Sequence, residues 1–495
     1  MTVARLFSFR FWYGDMDNKL DLLDKTKSPN RIVWALAWPT IVEQLLMTVV
    51  TYVDAAMVGS VGVNATAAVA VNTTVIWLLQ GLMSGLAVGA SVLVGRKIGE
   101  KKMTEAQDIL TQSLLAMMAL GIVTMLIGEL VLAHNLPRWM GAEKELLAPA
   151  EQYMRIVAIS FPFQVLLAVG CAIIRGAGDT RRPMIYNIVS NVVNIVGNYF
   201  FIYETRDVTI FGWTFKIWGA GMGVGGAAIG TLLAFLAAGM MTLWHLINRK
   251  SSFHMVDRPS LRPDGRILRQ IVKLGLPTAF ERITLSSGQM VITALATGMG
   301  SVMLAAHQLA TTAESICYMP CYGFSVAATT LVAQAIGADE KKLAKTYSLV
   351  CIRYGVLAMV ASAVLMYIFA PKMIWLFIRD AAVISVGAAM LRIEAFAEPC
   401  VAVTNVICGA LKGGGDTRWP FYISIIGMWV VRLSMAVAAI KIFGAGLEGI
   451  WIPMAIDWAV RMIICICRYK GGKWMDTWDN IKKTDNCETE EEKNV

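Results

Sequence analysis

Apolar runs of about twenty residues recur along nearly the whole chain, broken by short polar stretches; residues 114–133, 185–203, 227–246 and 349–370 are examples. Each is long enough to cross a hydrocarbon core of about 30 Å. Backbone polar groups find no water in lipid, so a spanning segment must close its hydrogen bonds as a helix or within a barrel. The runs are rich in Leu, Met, Ala and Gly and lack the alternation of barrel strands, which selects helices. The pattern predicts twelve spans, at residues 32–58, 67–93, 107–134, 151–174, 184–203, 221–247, 268–296, 304–333, 346–370, 388–411, 420–441 and 446–468. The expected fold is an all-α polytopic membrane protein.

The polar stretches set its orientation. Arg96, Lys97, Lys101 and Lys102 follow the second span, Arg175, Arg181 and Arg182 the fourth, and a basic stretch from Arg249 to Arg269 the sixth. Lys341, Lys342 and Lys345 follow the eighth, and Lys412 and Arg418 the tenth. The other loops hold few basic residues. The positive-inside rule then puts both termini and the even-numbered loops in the cytoplasm, with the chain in the cell membrane. Residues 1–30 carry charges throughout and lack a signal-peptide apolar core, so the first span is expected to act as an uncleaved insertion signal.

The chain also repeats itself. Trp38-Pro39-Thr40 matches Leu276-Pro277-Thr278, and the segment from Leu93 to Gly99 matches that from Leu331 to Gly337, both 238 residues on. Gly176-Ala177-Gly178-Asp179-Thr180-Arg181 matches Gly413-Gly414-Gly415-Asp416-Thr417-Arg418 at a spacing of 237, which Pro162 and Pro399 share. Six spans per repeat is an even number, so the halves insert the same way up, as two pseudo-symmetric six-helix bundles. Parallel repeats of this kind are a transporter architecture with substrate sites between the halves. The division expected is a cytoplasmic segment at 1–30, a first lobe at 31–247, a polar linker at 248–266, a second lobe at 267–470 and a cytoplasmic tail at 471–495.

Composition narrows the function. Hydrophobic residues make up 57% and charged residues 16%, against about 25% charged in soluble domains. The net charge of +9 lies in short loops, which argues against nucleic-acid binding. Nine scattered cysteines form no CxxC pair and four dispersed histidines no metal cluster. No Walker lysine motif is present, which argues against ATP drive. No span gathers the His, Asp and Ser groups of an intramembrane enzyme, so the chain is read as a transporter rather than an enzyme, with no cofactor.

A charge at the bilayer centre costs at least ~2.5 kcal/mol, so each intramembrane charge needs a reason. Asp54 lies deep in the first span, where the second half has Ile292. It either serves function or caps a helix end. Asn187, Asn191, Asn194 and Asn198 share one face of the fifth span, for interhelical hydrogen bonds or for a cation or proton path. Glu43 and Glu281 sit four residues after equivalent prolines, as cleft or gating carboxylates or as local partners, Glu281 with Arg282. Arg432 and Asp457, in the last two spans, are expected to form a structural ion pair, with Arg461 one turn beyond Asp457. Glu394 and Glu398 of the tenth span are weaker candidates.

The Pro39…Glu43-Gln44…Val53-Asp54…Met57-Val58-Gly59 opening, the Ala305-Ala306-His307-Gln308 segment, the two Gly-Asp-Thr-Arg turns and the Gly427-Met428-Trp429…Arg432, Asp457-Trp458…Arg461 and Gly472-Lys473-Trp474 ending resemble the multidrug and toxic compound extrusion (MATE) family, over residues 31–475. The resemblance implies two six-helix bundles about a cleft that opens alternately to each side. It implies efflux of organic, often cationic, compounds driven by a Na+ or H+ gradient. It places Asp54, Asn194, Asn198 and Thr231 on the family's cation-site positions, with Asn198 where several relatives have Asp. The partners expected are the lipid bilayer and small organic cations, with no nucleic acid and a monomeric protein. The alternative on the same fold is a flippase for a lipid-linked saccharide.

Overall fold

The computed structural model describes residues 22–210, 213–249, 251, 253–255 and 262–477. Its helices are α1 Pro29–Gly59, α2 Val63–Gly99, α3 Met103–Trp139, α4 Lys144–Gly176, α5 Arg181–Phe201 and α6 Val224–Ile247 in the first half. The second half holds α7 Gly265–Thr297, α8 Ser301–Gly337, α9 Lys341–Trp375, α10 Ala381–Ala395, α11 Glu398–Gly413, α12 Arg418–Lys441 and α13 Glu448–Lys470. Nine of the described helices are long and apolar enough to cross a membrane. The asparagines of α5 and the Arg, Lys and Glu residues of α7 lower those two below that measure. The tenth span forms as two helices, α10 and α11, because Pro399 lacks an N–H and clashes with the preceding turn. All twelve expected spans are thus present. Much of the expected linker, with 1–21 and 478–495 of the two terminal segments, lies outside the described residues.

One element lies outside the helical pattern. Between α5 and α6, strands β1 Glu204–Ile210 and β2 Trp213–Ala220 pair as an antiparallel hairpin. Its Thr, Val and Ile residues, then Trp, Phe and Ile, favour strand. The span pattern carries no trace of it because the loop is too short and too polar to read as a membrane segment.

The two six-helix bundles are joined by α1 and α7, which cross between them. The first half of α1, with Ile32, Val33, Leu36 and Ala37, is buried in a core made by α8, α9, α11 and α13 of the second lobe. Ile271 and Leu274 of α7 enter the core of α2, α3 and α4 in the first lobe. The far ends return home: Val58 of α1 joins α2 and α4, and Ile292 and Ala296 of α7 join α8 to α10. Glycine permits the crossings. A Cβ on Gly85 would collide with the Ala279 backbone of α7, and one on the repeat-matched Gly323 would collide with Ile41 of α1. Further along, α1 stays on α8 through the Tyr52 hydroxyl, 3.0 Å from Thr312 O and 2.8 Å from Ser315 Oγ.

Candidate functional site

In the first lobe, Asp54 of α1 faces the asparagine stripe of α5. Asn198 Nδ2 donates to Asp54 Oδ1. The same amide lies 3.3 Å from Asn194 Oδ1, and Asn194 Nδ2 donates to Thr231 Oγ1 of α6 at 3.4 Å. Four residues far apart in sequence therefore form one chain across three helices. Asn194 and Asn198 are buried, and among the described residues Asn198 Oδ1 has no hydrogen-bond partner. Small residues bring α5 and α6 together here: a Cβ on Gly230 would collide with Asn198 Oδ1, and one on Gly197 would lie 3.0 Å from Gly230 Cα. The carboxylate, the amide oxygens and the hydroxyl form an all-oxygen donor set, the kind a hard cation takes. The Asn198 Oδ1 acceptor itself faces Gly230 of α6. Tyr153 of α4, absent from the sequence reading, lies within electrostatic reach of Asp54.

The rest of the stripe divides. Asn187 Nδ2 donates to Glu43 Oε1 at 2.9 Å and to Pro183 O at 2.9 Å, so it belongs with the carboxylate nearer the start of α1. Asn191 lies between the two groups, its amide nitrogen buried and without a hydrogen-bond partner among the described residues.

Glu43 and Glu281 are both held by cations that sequence reading did not single out. Arg175 Nη1 is 3.0 Å from Glu43 Oε1, and Lys412 Nζ is 2.8 Å from Glu281 Oε2. Arg175 ends α4 and Lys412 ends α11, and they stand at the repeat spacing of 237. The same charge pair is thus built once in each lobe. The local partner considered for Glu281, Arg282, points elsewhere, over the Tyr322 ring at 5.9 Å.

The ion pair of the last two spans is a triad. Asp457, fully buried, receives Arg432 Nε at 2.9 Å on Oδ2. Arg461 adds Nε at 2.5 Å on Oδ1 and Nη2 at 2.8 Å on Oδ2. Trp458 lies beneath both guanidiniums, 5.7 and 4.9 Å from ring to Cζ. Nearby, Glu394 feels Glu314 of α8, Arg432, Glu398 and Asp457. Among the described residues, both carboxylate oxygens of Glu394 and of Glu398 are buried without a hydrogen bond. Sequence reading missed Glu314, although a mid-span acid is itself a signal. The repeat-matched positions in the first lobe are Ile76, Val157 and Phe161, so each lobe carries acids where the other is apolar.

A sequence profile of the MatE family matches residues 39–200 and 277–438, the two halves at the same 238-residue spacing. The chain belongs to the MatE family. It is a multi-pass membrane transporter and not an enzyme. It is 29% identical over 446 residues to the probable multidrug resistance protein NorM of Thermotoga maritima, covering 89% of this chain and 92% of that one. It is 25% identical over 449 residues to the multidrug resistance protein MdtK of Yersinia pseudotuberculosis, covering 89% and 95%. The outward-facing conformation of a multidrug resistance MATE family transporter of the MOP superfamily shares its fold, with a TM-score of 0.82 at 24% identity over 90% of this chain and 96% of that one.

Proposed function

We propose that this MatE transporter is a cation-coupled antiporter that exports organic, cationic compounds by alternating access, with both termini and the even-numbered loops in the cytoplasm. The observation that carries the reading is the chain Asp54–Asn198–Asn194–Thr231, which ties α1, α5 and α6 together around an intramembrane carboxylate. A charge in hydrocarbon costs at least ~2.5 kcal/mol. A bound Na+ or H+ supplies the neutralising charge. Asp54 would hold it, and the amide oxygens of Asn194 and Asn198 with the Thr231 hydroxyl would complete the oxygen set. Asn198 turns its amide N–H toward the Asp54 carboxylate, so bringing its oxygen onto a cation held by Asp54 requires that amide to rotate. The rotation changes how α1 packs on α5. Because the first half of α1 is seated in the other lobe, a change at Asp54 is carried between the lobes.

Glu43 with Asn187, and Glu281, then serve as cleft or gating carboxylates, each poised against a cation of its own lobe that a cationic substrate can displace. Asn191 fills the gap between the two groups. The names of the relatives, multidrug resistance proteins, support efflux, and the protein is taken to act as a monomer. The test is dye extrusion from proteoliposomes under separate Na+ and H+ gradients, with substrate binding measured independently. Asp54→Asn should abolish gradient-driven extrusion and leave binding measurable. Extrusion at the wild-type rate by this variant would sink the assignment.

A further inference from the structure

The two Gly-Asp-Thr-Arg turns have the same sequence but different surroundings. In the second half the turn is covered by its own lobe: Trp474, buried, packs on Gly414, and Arg468 pairs with Asp416 at 2.6 Å. In the first half the turn is covered by the other lobe. The Gly176 carbonyl, left open at the end of α4, accepts from Gln334 Nε2 of α8 at 2.8 Å. The Arg175 carbonyl accepts from Thr330 Oγ1 at 3.2 Å, besides its bond from Gly178 N. Gly178 has φ +96°, and a Cβ there would lie 3.0 Å from Leu22 Cδ1 and 3.5 Å from Gln334 Nε2. Leu22 is itself fixed on the second lobe. It is buried, its carbonyl accepts from the Tyr347 hydroxyl of α9 at 2.5 Å, and Lys25 beside it pairs with Glu340 at 2.6 Å. The turn thus sits in a socket walled by Leu22 on one side and by Thr330 and Gln334 on the other. The matched positions in α2 are Val92 and Arg96, so the repeat does not build this socket twice.

We propose that the turn at 176–180, seated between Leu22 and Gln334, is the latch that holds the lobes together at the end where α2, α4 and α8 terminate. Opening that end withdraws the turn from its socket. The second copy is a fixed dock for the segment around Trp474 and stays with it throughout. The proposal rests on the alternating-access reading, and its test separates the two.

Spin labels at Lys102 and Lys342, both exposed and one on each lobe, report the separation at this end in liposomes, with reactive native cysteines changed to serine. The wild type should show a closed and an open population whose ratio moves with Na+, pH or substrate. Gln334→Ala removes one cross-lobe hydrogen bond and should move the closed-to-open ratio about fivefold toward open. Tyr347→Phe, which deletes a single hydroxyl and leaves the packing, should move it in the same direction and serves if Gln334→Ala folds poorly. Trp474→Phe, at the second turn, should leave the ratio unchanged. A wild-type ratio in both Gln334→Ala and Tyr347→Phe overturns the latch. So does an equal shift from Trp474→Phe, which would mean general loosening. A wild-type distance that never changes overturns alternating access and the latch with it.

Discussion

Gly230→Ala tests the first-lobe site without substituting any residue that would hold the cation. A methyl at position 230 collides with Asn198 Oδ1 and lies 3.0 Å from Asn198 N. The helices cannot slide apart freely to admit it, because Gly197 already brings α5 against Gly230 Cα. Two outcomes share the strain. Splaying α5 from α6 costs about 1–3 kcal/mol, as overpacking usually does. Swinging the Asn198 amide away instead takes its oxygen out of reach of a cation on Asp54, a contact to a charged group worth about 1.5–3 kcal/mol. Either route takes the Asn198 oxygen away from a cation on Asp54, so the apparent affinity for the coupling cation should fall by about 5–150-fold, at 1.4 kcal/mol per factor of ten. The assay is cation-dependent dye extrusion from proteoliposomes, titrated in Na+ and in pH, with thermal unfolding in detergent alongside. The double variant Gly230→Ala with Asn198→Ala should cost little more than either change alone, since both act through the same amide. An apparent cation affinity within about twofold of the wild type would refute the packing argument.

Other expectations concern the charges. Asp457→Asn strands two buried guanidiniums and should destabilise the protein by about 3–5 kcal/mol, read as lost membrane abundance and a lower unfolding temperature. Exchanging Arg432 and Asp457 should not rescue it, because Arg461 also bonds Asp457 and would then face a new arginine. Glu43→Gln and Arg175→Met should impair extrusion to similar extents, and the double variant should show a coupling of about 0.5–3 kcal/mol; strict additivity in transport rates would mean that the pair does not act as a unit. Glu281→Gln with Lys412→Met should behave alike, in a parallel cycle on the second lobe.

The spans were legible because the bilayer imposes a length and a polarity that a linear pattern records directly. The repeat was legible because the prolines and glycines that shape it cannot drift without changing the backbone. The asparagine stripe was legible as a face from its spacing, and Asp54 as an acid with no counterpart in the second half. What did not show was partnership between helices. Arg175 reads as one more loop-end cation, and only the folded structure reveals that it meets Glu43. Asn187 and Asn198 look equivalent along the helix, yet one joins Glu43 and the other Asp54, because α1 runs alongside α5 and meets it at both places, eleven residues apart on each helix. The hairpin after α5 was hidden for the same reason, since strand pairing is a property of approach rather than of order.

The crossing of α1 and α7 has a consequence for how the protein is made. Ile32, Val33, Leu36 and Ala37 leave the ribosome first, but the core that buries them is built from α8, α9, α11 and α13. The core of α2 to α4 in turn waits for Ile271 and Leu274. Neither lobe can finish its interior before part of the other has been synthesised. The chain must hold an unclosed first helix in the bilayer for most of its translation. A polypeptide stalled after the sixth span, or two halves expressed from separate messages, would carry complementary gaps, each filled only by the missing strand of the pair. Assembly is therefore a joint event between the halves, and premature release from the insertion machinery endangers both of them together.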